Sequence, residues 1–335
     1  MTGRQTSRQA TRQRTRKPSS QRGQVRGRLG NRNRKRNRRH GPINALKRSW
    51  RKANWPTRIK MVLIPTVAVV VVVALVAGLV RFTNWRAQVR AAEAAQLELT
   101  RTYDFNPGNI ISDGQFFNGS AMSQAEVQSF LDTQGGSLAA MTFDTSNESG
   151  EGLCADYTGT KGESAAAIID QSARACKVSQ KVLLTVMQKE QHLVTAVDPS
   201  DYQLMAAVGV DRPGNPYRCF GLTCRDPADC DPAYAGFFRQ VYGAAKRYRY
   251  YLEHEEQYGY TAHNLNYIQY HPNAACGGAQ VYIENKATAL LYIYTPYQPN
   301  IAALAAGNGT GDSCSSYGNR NFALIYTSWF GSPRS

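Results

Sequence analysis

The sequence predicts a mostly α (α+β) domain with a small β element, preceded by one transmembrane helix and a disordered basic tail. Three observations predict this organisation. Residues 1–60 carry 21 Lys and Arg and no Asp or Glu, whereas residues 61–335 carry 19 basic and 24 acidic residues. Residues 61–80 contain no charged side chain, and all seven cysteines follow residue 150. A charge split of this kind indicates segments that lie in different surroundings.

The tail, residues 1–59, is rich in Arg, Gln, Asn, Ser and Thr and poor in large apolar residues. It cannot bury a core, so we expect it to be disordered. Arg clusters can neutralise nucleic-acid phosphates, but a polybasic segment beside a membrane span binds anionic lipid headgroups. The sequence favours lipid over any specific nucleic acid. Recruitment of an envelope-assembly protein by the tail is a further hypothesis.

The transmembrane helix is assigned to residues 60–82. A bilayer core of about 30 Å needs roughly 20 helical residues, which is the length of the uncharged run Met61–Val80. The run shows no polar stripe, unlike a core helix, and exceeds a signal peptide's apolar region. Ala-Ala-Glu-Ala-Ala at 91–95 leaves cleavage as an alternative. The stronger basic flank precedes the span, so we expect a single-pass plasma-membrane protein with a cytoplasmic amino terminus and an extracellular carboxy-terminal domain.

Residues 83–105 are rich in Ala, Glu and Leu and predict a helical stalk that ends before Asn106-Pro-Gly-Asn. The extracytoplasmic domain is assigned to residues 106–335. Capping residues and apolar periodicity predict its elements. They are helices from 124 to the Gly135-Gly136 pair, 164–174, 180–194 and 235–256, β-like pieces at 267–270 and 280–283, a helix near 285–294, a polar loop to 318 and a last helix through Phe330.

Seven cysteines on the predicted outer side indicate disulfides, which persist in oxidising surroundings. Their spacing matches no zinc site, and we expect neither metal nor cofactor. Proximity in sequence favours Cys154–Cys176, Cys224–Cys230 and Cys276–Cys314, leaving Cys219 as an extra thiol, although spacing does not fix connectivity. Cys219 as a nucleophile with His263 or His271 ranks low, because a free thiol in such a space is readily oxidised.

The helix SQKVLLTVMQKEQHLV carries the candidate catalytic residue, Glu190. Leu183, Met187, Glu190 and Val194 follow one another at i, i+4, i+7 and i+11, so the carboxyl group lies in line with an apolar stripe. A carboxyl group among apolar neighbours tends to stay protonated, and a neutral carboxyl can donate a proton to a glycosidic oxygen. The alternative is a surface pair of Lys189 with Glu190, or a structural carboxylate.

The apolar helix ending in Glu190 is similar to the helix that holds the acid glutamate in lysozyme-like proteins. More closely, NIISDGQFFNGSAMSQAEVQSFL, the QKEQ helix, GFFRQVYGAA, QYHPN and DSCSSYGNRNF resemble an actinobacterial family of secreted or membrane-anchored cell-wall proteins, often labelled haemagglutinin-like. The resemblance covers roughly residues 105–333. It implies a lysozyme-like, glucosaminidase- or transglycosylase-like domain that acts on peptidoglycan, with Glu190 as the acid, and it supports the Cys224–Cys230 pair.

A glycan site also needs rings that pack on sugar faces and polar groups that bind hydroxyls. The candidates in or beside predicted loops are Tyr202, Tyr217, Tyr234, Phe237, Gln240, Tyr270 and Asn273. The second carboxylate of a hydrolase has no obvious position, although Asp198, Asp201 and Asp211 follow the helix. Lytic transglycosylases manage with one glutamate, so both enzyme types stay open, as does a non-catalytic wall-binding or adhesive module on the same fold.

Overall fold

The structure is a computed structural model that describes residues 41–200, 203–204 and 235–335 of the 335-residue chain. Contacts divide the chain into two units, residues 1–74 and residues 75–335. The predictions for the tail before residue 41 lie outside the described residues. The carboxy-terminal unit, residues 75–335, holds the candidate site.

The amino-terminal unit contains helix α1, Pro42–Lys52, and the start of helix α2. Pro42 occupies the first turn, where its fixed φ suits a helix, and α1 ends at Ala53, whose backbone is extended. Residues 42–52 fall within the tail predicted to be disordered, so that prediction is wrong for them. The prediction rested on the average composition of the whole tail. Residues 42–52 depart from that average, because Ile43, Leu46 and Trp50 share one face of an amphipathic helix.

Helix α2 runs without interruption from Trp55 to Tyr103 and includes Pro65. It covers both the predicted span and the predicted stalk, so no break marks the boundary at residue 82. In the described part of the chain, α2 is the one helix long and apolar enough to cross a membrane, and none of its most apolar window is buried. Length and composition therefore agree with a membrane span.

The carboxy-terminal unit is mostly helical and contains two antiparallel two-stranded sheets. The prediction of a helical domain with a small β element is confirmed at this level. Three short 3-10 turns, Ser137–Ala140, Glu255–Gln257 and Ala274–Cys276, connect longer elements. In chain order after α2, the elements are α3 Asp113–Phe116, α4 Gln124–Gln134, β1 Thr142–Phe143, β2 Glu163–Ser164, α5 Ala165–Cys176, α6 Gln180–Gln191, α7 Phe237–Glu253, β3 Asn264–Gln269, β4 Gly278–Ile283, α8 Lys286–Tyr294, α9 Ile301–Ala305 and α10 Gly318–Phe330.

Helix starts follow the capping residues read from the sequence. Ser123 and Glu126 form a capping box at α4, and the Ser164 and Ser179 hydroxyls accept backbone N–H groups at α5 and α6. Helix α6 ends earlier than predicted, because His192 adopts a left-handed conformation with φ 53°. Val194 is fully buried beyond the helix end, so its apolar character extended the predicted helix too far.

The sequence predicted one of the two sheets and not the other. Strands β3 and β4 pair from Asn264 with Ile283 to Gln269 with Gly278, close to the predicted β pieces. Strands β1 and β2 form only two residue pairs, Thr142 with Ser164 and Phe143 with Glu163, and the sequence analysis missed them. It also missed α9 inside the predicted polar loop. Elements of two to five residues show too little periodicity to be recognised.

Helices α5 and α6 supply much of the core, and their apolar residues pack with those of α7, α8 and α10. Disulfides join Cys154 to Cys176, with Cα atoms 4.4 Å apart, and Cys276 to Cys314, with Cα atoms 5.4 Å apart. The first disulfide ties the end of α5 to the loop before β2. The predicted Cys224–Cys230 pair and the extra thiol of Cys219 lie outside the described residues.

Candidate functional site

Helix α6 positions Glu190 in its last turn. Residues 182–187 of this helix are buried, so its apolar side fixes the helix in the core. The Glu190 side chain retains 13% of its accessible surface, so its carboxylate lies at the margin of the packed interior. The position agrees with the predicted apolar face, but the immediate neighbours do not.

Two polar groups contact the Glu190 carboxylate, where the sequence analysis expected apolar ones. The Tyr294 hydroxyl, at the end of α8, donates to Glu190 Oε1 over 3.0 Å. The Lys189 ammonium, on a side chain that is 7% exposed, forms an ion pair with the same oxygen. That ammonium also lies 4.9 Å from the centroid of the Tyr294 ring, a cation–π geometry. The surroundings of the carboxylate are therefore mixed, and the pairing of Lys189 with Glu190 that the sequence left open as an alternative is present.

The second carboxylate oxygen is differently placed. Both partners contact Oε1. Among the described residues, Glu190 Oε2 has neither a hydrogen bond nor an ion pair. Each carboxylate oxygen can accept about two hydrogen bonds, and in the described part of the chain only Oε1 of Glu190 has donors. Oε2 is therefore the carboxylate oxygen of Glu190 that has no partner among the described residues.

A second tyrosine extends the group, which we call the Glu190 cluster: Lys189, Glu190, Tyr248 and Tyr294. The Tyr248 and Tyr294 ring centroids are 5.6 Å apart, and Tyr248 makes an edge contact with Phe116 at 5.1 Å. The Tyr248 hydroxyl is buried and has no hydrogen-bond partner among the described residues. Burial, and then the negative charge of Glu190, raise the pKa of both phenols well above their usual range.

Two other predicted binding residues lie inside the core. Phe237 is buried and stacks on Phe143, with centroids 4.4 Å apart. Gln240, one turn further along α7, is fully buried. Neither side chain offers an exposed surface on which a sugar could pack, and a role for them in binding substrate stays a prediction. The aromatic-rich start of α7 serves packing, and the helix period puts both residues on its inner face.

Tyr270 and Asn273 lie at the turn between β3 and β4. The Asn273 side chain caps the 3-10 turn by accepting from the Ala275 N–H over 3.1 Å. Tyr270 lines a cavity of about 290 Å³ between this hairpin and the last turns of α2. Gln96 of α2 and Gln280 of β4 also line this cavity. No hydrogen bond, ion pair or ring contact joins Tyr270 or Asn273 to Glu190 in the part of the chain that is described. Tyr202, Tyr217 and Tyr234 lie outside the described residues.

The sequence analysis missed the two tyrosines of the cluster. They come from α7 and α8, far from α6 in sequence, and the chain contains 19 tyrosines. Of the three candidate second carboxylates, Asp198 is exposed, and Asp201 and Asp211 lie outside the described residues. No group of three metal-ligating side chains occurs among the residues that were placed.

A second glutamate, Glu163 of β2, has comparable surroundings. Its Oε1 accepts from the Tyr157 hydroxyl over 2.9 Å and from the Gln171 amide. Its Oε2 accepts from the Thr145 hydroxyl over 2.8 Å. Both oxygens are therefore used, and every partner is neutral. No local sequence pattern singles out Glu163, because the strand that contains it has two residues and shows no periodicity.

A family model described as the N-terminal domain of LasA matches residues 109–214. LasA is a secreted staphylolytic peptidase. The matched segment includes α3 to α6, the Cys154–Cys176 disulfide, Glu163 and Glu190. No curated protein and no solved structure matches the chain. The resemblance to a haemagglutinin-like family stays a prediction.

Proposed function

We propose that the chain is a membrane-anchored, cell-wall-acting enzyme whose carboxy-terminal unit cleaves the glycan strands of peptidoglycan, as a hydrolase or a lytic transglycosylase. One observation carries the proposal: Tyr294 and Lys189 both bind Glu190 through Oε1, and Oε2 has neither a hydrogen bond nor an ion pair among the described residues. An oriented carboxyl group with one available oxygen is what proton transfer to a bound ligand needs. The similarity to the N-terminal domain of LasA supports the cell wall as the substrate.

In this mechanism Glu190 Oε2 donates a proton to the glycosidic oxygen as the bond from that oxygen to the anomeric carbon breaks. The anomeric carbon then bonds to the oxygen of a water molecule in a hydrolase, or to the sugar's own 6-hydroxyl oxygen in a lytic transglycosylase, and the proton of that water or hydroxyl returns to the Glu190 carboxylate. The Lys189 ammonium stabilises the anionic carboxylate, so it must first move away from the carboxyl group. Binding of a glycan strand over the cluster would displace it. After bond cleavage, Lys189 can return and stabilise the carboxylate that has lost its proton, and Tyr294 keeps the group oriented throughout.

The fold and location that go with this function are also proposals. A lysozyme-like arrangement would place the end of α6 beside a glycan groove, with Tyr270 and the hairpin as a more distant contact region. The apolar part of α2 would anchor the unit to the plasma membrane with its amino terminus in the cytoplasm. The tail would bind anionic lipids or an envelope-assembly protein.

Two observations favour other functions, and the experiment below tests these functions together with glycan cleavage. LasA is a peptidase, which favours cleavage of the peptide part of the wall. The Lys189–Glu190 ion pair is also found in structural carboxylates, which favours a wall-binding or adhesive module without catalysis. Each alternative predicts different products.

The experiment is incubation of the purified full-length chain, with its disulfides formed, with purified cell wall. Glycan cleavage releases muropeptides with new reducing or 1,6-anhydro sugar ends, whereas peptide cleavage releases new amino groups. We expect new sugar ends from the wild-type chain and none from Glu190→Gln. New amino groups without sugar ends would replace the proposal with a peptidase, and binding without any product would replace it with a wall-binding module.

A further inference from the structure

Helix α1 is amphipathic and its apolar face is uncovered. Ile43, Leu46 and Trp50 fall at i, i+3 and i+7 and are 68%, 64% and 42% exposed. Residues 41–60 contain six Lys and Arg and no acidic residue, and four of the six are on α1. A basic helix with an aromatic and aliphatic face is the type that lies in a membrane interface.

The junction between α1 and α2 is organised by one arginine. Arg58 Nε donates to the Trp50 backbone oxygen over 3.1 Å, and its guanidinium lies 5.8 Å from the centroid of the Trp50 ring. Asn54 caps the start of α2 by accepting from the Thr57 N–H over 3.3 Å. These contacts hold the end of α1 against the first turns of α2. The terminal nitrogens of Arg58 have no hydrogen bond within the described residues.

A cavity of about 450 Å³ opens at this junction. Its wall continues along the apolar surface of α2 toward the candidate span. Among the described residues, Arg58 is the one charged residue in its lining. The remaining described lining residues are apolar or aromatic apart from one threonine: Trp50, Trp55, Ile59, Val62, Leu63 and Thr66. The cavity therefore has an apolar body with a cationic group at one end.

We propose that this junction binds an anionic phospholipid of the leaflet on the basic side of the span, with α1 lying in that interface. The acyl chain would cover Ile59, Val62 and Leu63, and the headgroup phosphate would meet the terminal nitrogens of Arg58. A guanidinium presents paired donors that match a phosphate, and tryptophan rings favour the depth of the headgroups. The excess of positive charge selects an anionic lipid over a zwitterionic one. The inference rests on the proposed membrane anchoring but not on the proposed catalysis.

The test uses the chain's own tryptophans, which number four. In the full-length chain, Trp85→Phe with Trp329→Phe leaves Trp50 and Trp55 as the reporters. This protein is placed in two sets of vesicles with equal parts phosphatidylglycerol and phosphatidylcholine, and only the lipid that carries bromine differs. Surface charge is then the same in both sets, and quenching reports which lipid touches the cavity.

We expect brominated phosphatidylglycerol to be enriched at the reporters about fivefold over brominated phosphatidylcholine, the preference that one basic group near a lipid surface gives. Arg58→Gln should bring the ratio close to one. The matched control is Arg86→Gln, since Arg86 lies 5.8 Å from the Phe82 ring on the other flank of the span, and it should leave the ratio unchanged.

The outcomes separate this inference from the proposals on which it depends. Equal quenching by the two lipids in the chain with wild-type Arg58 would overturn the lipid site and leave the membrane anchor intact. An equal loss of preference in Arg58→Gln and Arg86→Gln would also overturn the site, because general charge would then explain the ratio. No quenching by either lipid would overturn the anchor itself, and none of these results bears on wall cleavage.

Discussion

Two glutamates of the carboxy-terminal unit each accept a hydrogen bond from a tyrosine hydroxyl, and they differ in how completely they are satisfied. Tyr157 donates to Glu163 over 2.9 Å, and Tyr294 donates to Glu190 over 3.0 Å. Both glutamates lie in the segment similar to the N-terminal domain of LasA. Without the remaining partners, the two sites would be difficult to tell apart.

The remaining partners separate a structural carboxylate from a candidate functional one. Glu163 is buried, and neutral donors bind both of its oxygens. Such a closed network stabilises the fold and leaves nothing for a ligand. Among the described residues Glu190 uses one oxygen, one of its partners is the charged Lys189 ammonium, and 13% of its side-chain surface is exposed. Burial alone therefore does not distinguish the two carboxylates, whereas the number of oxygens with a described partner does.

The largest expected effect comes from removing each negative charge at nearly constant shape. Glu190→Gln should lower the rate of product release from cell wall about 10²- to 10⁴-fold, the typical contribution of a positioned proton donor. Glu163→Gln serves as the matched control and should retain the rate within about a factor of ten, because its site meets no ligand. The rate is measured as new sugar ends per unit time.

The thermal midpoint of each variant provides the second half of that measurement. Glu190→Gln should keep its midpoint, so that lost activity cannot be attributed to unfolding. Similar rate losses in both variants, at unchanged midpoints, would show that the distinction between an open and a closed carboxylate is wrong.

The second expected effect exchanges the roles of the two residues. Glu163→Ala leaves the Tyr157 hydroxyl, the Gln171 amide and the Thr145 hydroxyl without their acceptor, and we expect it to lower the free energy of unfolding by about 2–3 kcal/mol. Glu190→Ala should cost less, about 1–2 kcal/mol, because it removes the acceptor of two donors, the Lys189 ammonium and the Tyr294 hydroxyl, instead of three. Urea unfolding followed by circular dichroism measures both, and the opposite order would mean that Glu190 is the structural residue.

The features that the sequence predicted correctly are local. The capping box of Ser123 and Glu126, the cap at Ser164 and the glycine stop at Gly135 depend on residues a few positions apart, so they can be recognised in a single chain. The helix that carries Glu190 was likewise predicted, from a run of apolar residues at helical spacing.

The partners of Glu190 could not be predicted in the same way. Tyr294 is separated from Glu190 by more than a hundred residues, and nothing in its own neighbourhood distinguishes it from the other tyrosines. The burial of Phe237 and Gln240 could not be predicted for the same reason, since only packing decides which side of α7 faces the core. Tertiary contacts, and not local patterns, determine the chemistry of the site.

The third expected effect concerns the two tyrosine hydroxyls. Tyr157→Phe should lower the free energy of unfolding by about 1 kcal/mol, because Glu163 keeps two other donors. Tyr294→Phe removes the hydroxyl that orients Glu190, and we expect about a tenfold lower rate of wall cleavage, the equivalent of one charge-assisted hydrogen bond. The KM should change little, since Tyr294 contacts the catalytic group. A raised KM at unchanged kcat would instead make Tyr294 a binding residue.

The smallest expected effect is a dependence on alkaline pH that both sites should share. Burial raises the pKa of Tyr157 and of Tyr294, and the glutamate beside each adds to the shift. A phenol with a raised pKa in the folded protein contributes stability that is complete below its unfolded pKa of about 10 and declines as the pH rises beyond it. Each Tyr→Phe variant lacks this decline, so its difference in unfolding free energy from the wild-type chain should narrow above about pH 10.

Urea midpoints measured from about pH 8 to 11 for the wild-type chain and for both Tyr→Phe variants test this narrowing. If the difference narrows for Tyr157→Phe but stays constant for Tyr294→Phe, the Tyr294 phenol ionises in the folded protein as freely as in water, and the Glu190 cluster is then more open to solvent than its contacts indicate.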